Sequence, residues 1–578
     1  MAKKVMLHFE FADLEGTIQP ITFDNPEEII VARTADEVIP CLIRVQNAVK
    51  SGLYAAGYLT YEAAPAFDEA FIVNDQNKMP LLWFGLFKKP SQQTIPQAGG
   101  FTVDEWIPNV NIENYHSGLD KIKQYIKNGD TYQVNYTLRL NSTIKGDDFG
   151  FYKQLTKGQA SNYSAYISTE EYSILSASPE LFFHLRDNKI TTRPMKGTVQ
   201  RGKTFTEDLS YYEWLSASEK NRSENLMIVD LLRNDLGVIA EPGSVEVPKL
   251  FSVEQYPTVY QMTSTITANL APQTNLVDIF KALFPCGSIT GAPKINTMKF
   301  ISELEKGPRE VYCGAIGYIT PDMEAIFNVP IRTVILDKAT GKAEYGVGGG
   351  ITWDSSKDEE YDEILTKAKV LQQNRPDFEL LESLNLKHGK YFLLEEHLER
   401  LQRSANYFNF EIDIQSIFEE LQKYASSNLN TEQKVRLLVS QNGKVLIEGA
   451  DITLLPEPVS VKIADKAISK EEPFLYHKTT NRQVYSSIKD RFPEVFDVLL
   501  WNEERELTEF TIGNLVVELE GKLFTPGIES GLLPGIFRKY LLDNKIIKER
   551  KIILDDLKNC SNAWLINSVR MWVKVEFV

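Results

Sequence analysis

The sequence predicts an α+β protein of at least two domains, rich in antiparallel strands. Three observations carry this. A chain of 578 residues exceeds what one ordinary hydrophobic core organises. Short alternating apolar runs follow one another without a regular helix after each, unlike a βα-repeating chain. Asn374-Arg375-Pro376-Asp377 then reads as a linker, with a fresh strand pattern from Phe378. The expected domains are residues 1–375 and 376–578.

Taken in order, residues 6–11, 29–32 and 54–60 read as strands. Residues 36–51 read as a helix with Val38, Leu42, Val45 and Val49 on one side. The apolar run 81–87 suits a buried strand, and 88–100 a loop. A helix at 115–128, ended by Gly129-Asp130, precedes an alternating strand at 133–140. Strands are expected at 163–167, 172–176 and 181–186, a long helix at 218–236, a strand at 259–268 and a helix at 276–284. The loop 285–294 enters a helix reaching about Leu304. Strands at 313–319, 325–329, 331–336 and 342–347 follow, then Gly348-Gly349-Gly350 as a break and a helix over 356–373. Beyond the linker, strands are expected at 378–383 and 434–440, helices from Glu396, after Arg482 and after Gly535, and strands on either side of residues 506–515.

The net charge of -16 argues against nucleic acid as a main partner, because phosphate binding needs a basic face. The start lacks the apolar stretch of a signal peptide, and no run approaches membrane-spanning length. Cys41, Cys286, Cys313 and Cys560 are scattered without metal spacing, which fits a reduced, cytoplasmic protein with no disulfide framework.

Several stretches carry chemistry. In Thr192-Arg193-Pro194-Met195-Lys196-Gly197-Thr198 the proline imposes an extended entry and Gly197 permits a close turn. Lys196 is either a strand-end lysine in water or, if desolvated, a nucleophile or base. Glu360, Glu363 and Lys367 share one helical face, as a solvated surface or as carboxylates for a hard cation such as magnesium. Glu224 opens a largely apolar helix that ends in Arg233-Asn234-Asp235, a capping network or a functional cluster. The glycine-containing loop 286–294 suits an anion but is not a P-loop, since Lys294 is out of register. In the second domain His397 reads as a packing or capping residue.

These motifs occur together and in order: Gly129 to Asn135, Ser178-Pro179-Glu180-Leu181, Pro194 to Thr198, Glu224 with Val229-Asp230-Leu231 and Arg233 to Asp235, Gly287 to Lys294, and Gly348 to Ile351 with Glu360 to Lys367. Over about residues 110–370 the set resembles the chorismate-utilising enzymes: anthranilate synthase and aminodeoxychorismate synthase large subunits, and isochorismate or salicylate synthases. The resemblance implies a chorismate-binding α/β sandwich-type domain with large antiparallel sheets. It implies substrate contacts at Gln133, Thr198, Thr290, Gly291, Lys294, Arg332 (on an extended strand), Gly348, Gly349 and Lys367. It places magnesium at Glu224 and Glu363, with Glu360 nearby. Isochorismate-type members carry a water-activating lysine where this chain has Gln133, so ammonia is the expected nucleophile. Anthranilate synthases carry alanine where this chain has Lys196, and lysine is the aminodeoxychorismate synthase pattern. Lys196 would add to the ring at C2, Glu180 would protonate the departing C4 hydroxyl, and ammonia would enter at C4. Gln261 stands where many relatives have histidine, a further departure from the anthranilate pattern. No tryptophan feedback site is expected. No cysteine sits in a Gly-x-Cys-x-Gly turn, so a separate glutaminase or free ammonia supplies the nitrogen.

Residues 378–578 resemble the fold-type IV pyridoxal-phosphate enzymes, which include branched-chain and D-amino-acid aminotransferases and aminodeoxychorismate lyase. The matching residues are Glu396 to Leu401, Tyr476 to Arg482, Glu506 to Leu515, Gly531 to Arg538 and Asn567-Ser568. By this resemblance Lys478 bonds pyridoxal 5'-phosphate, Glu509 pairs with its ring nitrogen, and Arg400, Gly535, Ile536 and Ser568 hold its phosphate. The Lys478-Thr-Thr-Asn481-Arg482 order is closer to the lyases. The expected overall function is conversion of chorismate and ammonia to aminodeoxychorismate, then loss of pyruvate to give 4-aminobenzoate for folate synthesis. An aminotransferase or a non-catalytic second domain remains the alternative, and a homodimer through the second domain is expected by analogy.

Overall fold

The computed structural model describes residues 5–92, 95–372 and 375–578. The expected linker residue Asn374, the end of the expected helix at Gln373 and the basic start Met1–Lys4 lie outside the described residues. The chain divides into two compact units, one of residues 1–200 and 212–375, the other of 201–211 and 376–578. The eleven residues Arg201–Tyr211 therefore group with the second unit, although their sequence lies inside the first.

Among the described residues, the first unit holds two ten-stranded sheets. Among the described residues their strand pairings are antiparallel, including the long pair of Gln133–Gly146 with Lys342–Ile351. The period of two in the strands explains the layering. Ala165, Ile167 and Ile174 point into a core shared with Ala56, Tyr58 and Trp83 of the other sheet. Their neighbours Tyr166, Leu175 and Ala177 point the opposite way, toward helices Ile112–Lys127 and Asp148–Gln159. The second sheet turns its outer face to helices Ala35–Lys50, Glu219–Gly237 and Leu276–Leu283. The order is helix, sheet, sheet, helix, a sandwich in which strands are buried on both faces.

Three local expectations are corrected. The glycine run 348–350 does not break the sheet. It continues the strand Lys342–Ile351, opposite Thr137, Tyr136 and Asn135. Glycine is needed because a Cβ on Gly348 would lie 2.3 Å from the Tyr136 carbonyl oxygen. Arg332 is not extended: its φ is 51°, in the left-handed region, one residue before strand Thr333–Asp337. Strand Gln133–Gly146 runs well past residue 140. Sequence patterning also passed over strand Ile18–Asp24, helices Asp148–Gln159 and Phe205–Ala217, and strand Glu246–Gln255.

In the second unit a four-stranded sheet packs on helices Leu394–Phe408 and Ile414–Ser426. An eight-stranded sheet follows, and an added pairing of Leu507–Phe510 with Gly513–Leu519 closes it on itself. This sheet is mixed, with Val459–Ile463 parallel to both Asp497–Trp501 and Met571–Phe577. Among the described residues no helix is long and apolar enough to cross a membrane.

Candidate active sites

In the first unit one cleft gathers side chains from both sheets and two helices. It is lined by Glu180, Lys196, Thr198, Glu224, Arg332, Gly348, Gly349, Glu360, Glu363 and Lys367 of the expected residues. Lys196 lies on Met195–Gln200, Glu224 on Glu219–Gly237, and Glu360, Glu363 and Lys367 on Lys357–Ala368. That last helix begins at an Ser356 cap accepting from the Glu359 amide at 3.3 Å, which fixes where its turns fall over the glycines.

The glycines let these side chains converge. A Cβ on Gly350 would lie 1.9 Å from Gln133 Nε2 and 2.9 Å from Lys196 Nζ. A Cβ on Gly349 would lie 3.1 Å from Glu360 Oε2 and within 4 Å of Glu363 and Lys367. Gly350→Ala must therefore push the buried Gln133 and half-buried Lys196 side chains aside. Misplacement by about 1 Å costs on the order of 10²-fold in rate. The expected result is a loss of that order in turnover with fold retained, read by steady-state kinetics beside circular dichroism.

Burial sets the protonation states. It lowers the affinity of Lys196 for its proton, partly offset by Glu224 and Glu180. It pushes the Glu180 carboxyl up to about 7, against a bond from Ser288. Glu224 and Glu360 are also raised by burial, with Glu363 repelling both. Burial raises Glu363 too, but Lys367 at 2.6 Å outweighs it and leaves the carboxyl lowered. Lys367 Nζ also donates to the Gly348 carbonyl at 2.9 Å. Among the buried polar atoms of the described residues without a partner are both amide atoms of Gln133, beside the cleft, and Nη1 of Arg332, in its lining. Orphaned donors in a cleft are what a polar ligand satisfies.

The cleft carries four cations, Lys196, Lys220, Arg332 and Lys367, against four carboxylates, Glu180, Glu224, Glu360 and Glu363. Lys220 was not anticipated, although it precedes Glu224 by one helical turn. Gln261, which accepts from Thr198 at 2.9 Å, and Ser288 were not assigned roles either. Four expected contacts do not line the cleft: Gln133 lies next to it, against Gly350, and three others are placed elsewhere. Lys294 pairs with Asp235 at 3.0 Å, Thr290 turns its hydroxyl to the carbonyls of Cys286 and Gly287, and Gly291 pairs with Val134 in the sheet. None of the three lines the cleft. Arg233 forms an exposed pair with Asp230.

Glu224, Glu360 and Glu363 could hold a metal ion. The described residues form no closed group of three or more ligands at metal spacing. Magnesium retains several waters and takes one or two carboxylates plus substrate oxygens, so this open, crowded set fits it.

In the second unit Lys478 is half-buried, and desolvation, reinforced by Arg400 and Arg482, lowers its pKa to about 7. Its backbone carbonyl accepts from the Leu381 amide at 3.0 Å, tying it to strand Leu380–Lys387. Glu509 is pushed up to about 7 by burial while accepting from the Leu533 amide at 3.1 Å and the Tyr485 hydroxyl at 2.8 Å. Arg400 is gripped by Glu382 at 2.9 and 2.6 Å and donates to the Pro534 carbonyl at 3.2 Å. The turn 533–535 is thus bonded to both Arg400 and Glu509. Gly535 caps helix Ile536–Asp543, and a Cβ there would lie 2.0 Å from Asn514 Oδ1. Ser568 is buried in the turn after strand Asn562–Asn567. His397 bonds Glu382 at 2.7 Å, a structural partner as expected. Glu382 itself was missed, because it sits in an apolar strand run. A lysine inclined to be neutral, a buried acid, an arginine and a helix start with a glycine are the donor set that pyridoxal phosphate needs.

Comparison with known proteins divides the chain between residues 373 and 379. Residues 379–577 match the model of class IV amino-transferases. Aminodeoxychorismate synthase component 1 of Klebsiella aerogenes is 42% identical over 283 residues, covering 49% of this chain and 62% of that protein. The Escherichia coli K12 protein of the same name is 41% identical over 284 residues, with the same shares of 49% and 62%. The chain thus spans less than two thirds of the length of these curated relatives. The crystal structure of anthranilate synthase component I from Streptococcus pneumoniae superposes with a TM-score of 0.51 at 25% identity, covering 64% of this chain and 92% of that one. The model of chorismate binding enzymes matches residues 12–373, more than half of the sequence, and the chain belongs to that family.

Proposed function

We propose that the chain makes 4-aminobenzoate in two steps. The first unit converts chorismate and ammonia to 4-amino-4-deoxychorismate, and the second removes pyruvate. The single observation that carries the first step is Lys196, half-buried and inclined by desolvation toward its neutral form beside Gln133 and Glu180. A neutral amine is the form that attacks.

Lys196 Nζ bonds to C2 of the ring as both ring double bonds shift and the C4 hydroxyl leaves. Glu180, with its pKa near 7, supplies the proton that makes the departing group water. Ammonia then bonds to C4, both double bonds shift back, the C2–nitrogen bond breaks to free Lys196 as the neutral amine, and the new ring ammonium returns a proton to Glu180. Arg332 and Lys367 would answer the two substrate carboxylates. With Lys196 neutral and Glu180 protonated, three cations face three carboxylates, a balance that a dianion arriving with a divalent cation leaves unchanged. Magnesium would lie at Glu224, Glu360 and Glu363 and neutralise a ring carboxylate. Because Arg332 Nη1 has no protein partner, Arg332→Met is expected to raise the KM for chorismate about tenfold or more, the loss of a charged hydrogen bond. Initial rates across chorismate concentrations check this.

The similarity to proteins called component 1 supports a separate component as the ammonia source. For the second unit, pyridoxal phosphate supplies an electron sink when bound. Arg400, the Gly535-Ile536 helix start and Ser568 would hold its phosphate, Glu509 its ring nitrogen, and Lys478 would move the α-proton. The class IV amino-transferase match favours one second reading, amino transfer. Supplying aminodeoxychorismate to the purified chain tests this. Equal amounts of pyruvate and 4-aminobenzoate are expected, whereas product that appears only with an added keto acid acceptor would favour transfer.

A further inference from the structure

The carboxyl of Glu180 is engaged by a second side chain. Ser288 Oγ donates to Glu180 Oε1 at 2.5 Å, and both residues are buried at the floor of the cleft. Ser288 stands in the single turn Gly287–Ile289, while Glu180 precedes strand Leu181–Arg186. Cys286 Sγ lies 3.2 Å from Ser288 Oγ. With the Ser288 hydroxyl donating to Glu180, the thiol is the donor left for that contact. A chain of donors therefore runs from Cys286 through Ser288 to one oxygen of Glu180. The other groups facing this carboxyl are Lys196 and the Met195 backbone, and Cys286 is the nearby thiol.

We propose that Ser288 is a positioning residue for the first reaction: its hydroxyl occupies Glu180 Oε1, so that Oε2 carries the transferable proton, and it sets the strength of that acid. This rests on the reading of Glu180 as the acid for the departing hydroxyl. A donor to a carboxylate favours its ionised form, so it opposes the upward push of burial. Without Ser288, Glu180 would stay protonated to higher pH and release its proton less readily at the moment of C–O cleavage. The loop 286–294 thus has a role in the reaction that differs from anion binding. Its serine faces the acid, while Lys294 is paired with Asp235.

The test is the pH profile of aminodeoxychorismate formation at a fixed concentration of free ammonia, in the full chain. In Ser288→Ala the alkaline limb should move up by about one pH unit, the size expected for one lost hydrogen bond to a charged group. Turnover at the plateau should fall about tenfold while the KM for chorismate changes less than about twofold. Ser288→Cys, with a weaker donor, should shift the limb the same way by less, and it serves alone if the alanine variant does not fold. A limb that stays where the wild type has it, in both variants or in the folded one, overturns the proposal and leaves Ser288 a packing residue. Failure of the underlying reading is separately visible: Glu180→Gln would then turn over at the wild-type rate, whatever Ser288 does.

Discussion

Lys196→Ala is expected to lower aminodeoxychorismate formation by about 10³-fold or more, while lyase activity on supplied aminodeoxychorismate stays within about twofold of wild type. The magnitude follows from losing a covalent route: an enzyme stripped of its nucleophile keeps only what binding and electrostatics contribute. The cleft makes the loss specific. Glu180, Glu224 and Glu363 all face Lys196, so its removal also leaves those buried carboxylates with one cation fewer. Their pKa values should rise in the variant, since Lys196 is a lowering influence on each. Any residual rate should therefore show an alkaline limb displaced upward. Chromatography of quenched reactions started from chorismate, and separately from aminodeoxychorismate, reads both halves of the result.

Lys478→Ala is expected to give the mirror image. Aminodeoxychorismate should accumulate from chorismate and ammonium, with release of 4-aminobenzoate reduced by about 10³-fold or more. Cofactor loading gives a second readout that does not depend on turnover. In the wild-type apo chain, the absorbance change on adding pyridoxal phosphate should appear faster as pH rises through about 7, because Lys478 is lowered to about 7 and only its neutral form attacks the aldehyde. The sign is fixed by the cause: burial disfavours the charged ammonium, and the flanking Arg400 and Arg482 disfavour it further. In Lys478→Ala the band should not form at any pH. A non-catalytic second unit would show no such band in the wild type either.

Much of this was legible in the sequence because the informative residues are local. The capped helix at Lys357–Ala368 places Glu360, Glu363 and Lys367 on one face, and that face does line the cleft. What escaped was set by contacts distant in sequence. The run Gly348–Gly350 looked like a break, since glycine weakens a strand, but the sheet needs it there for close approach to Gln133 and Lys196. Arg332 looked extended among apolar neighbours, yet it takes a left-handed turn that no β-propensity signals. Lys294 suggested an anion site until Asp235, 59 positions away, claimed it. Glu382 was hidden in a strand whose apolar neighbours draw attention away from the acid that fixes Arg400. The grouping of residues 201–211 with the second unit has no local signature at all.

The most direct measurement is the product spectrum of the purified full chain, loaded with pyridoxal phosphate and magnesium and given chorismate and ammonium. The expected result is 4-aminobenzoate and pyruvate in equal amounts, with aminodeoxychorismate only transient. Anthranilate as the aromatic product would contradict the role given to Lys196, and stable accumulation of aminodeoxychorismate would contradict the role given to the second unit.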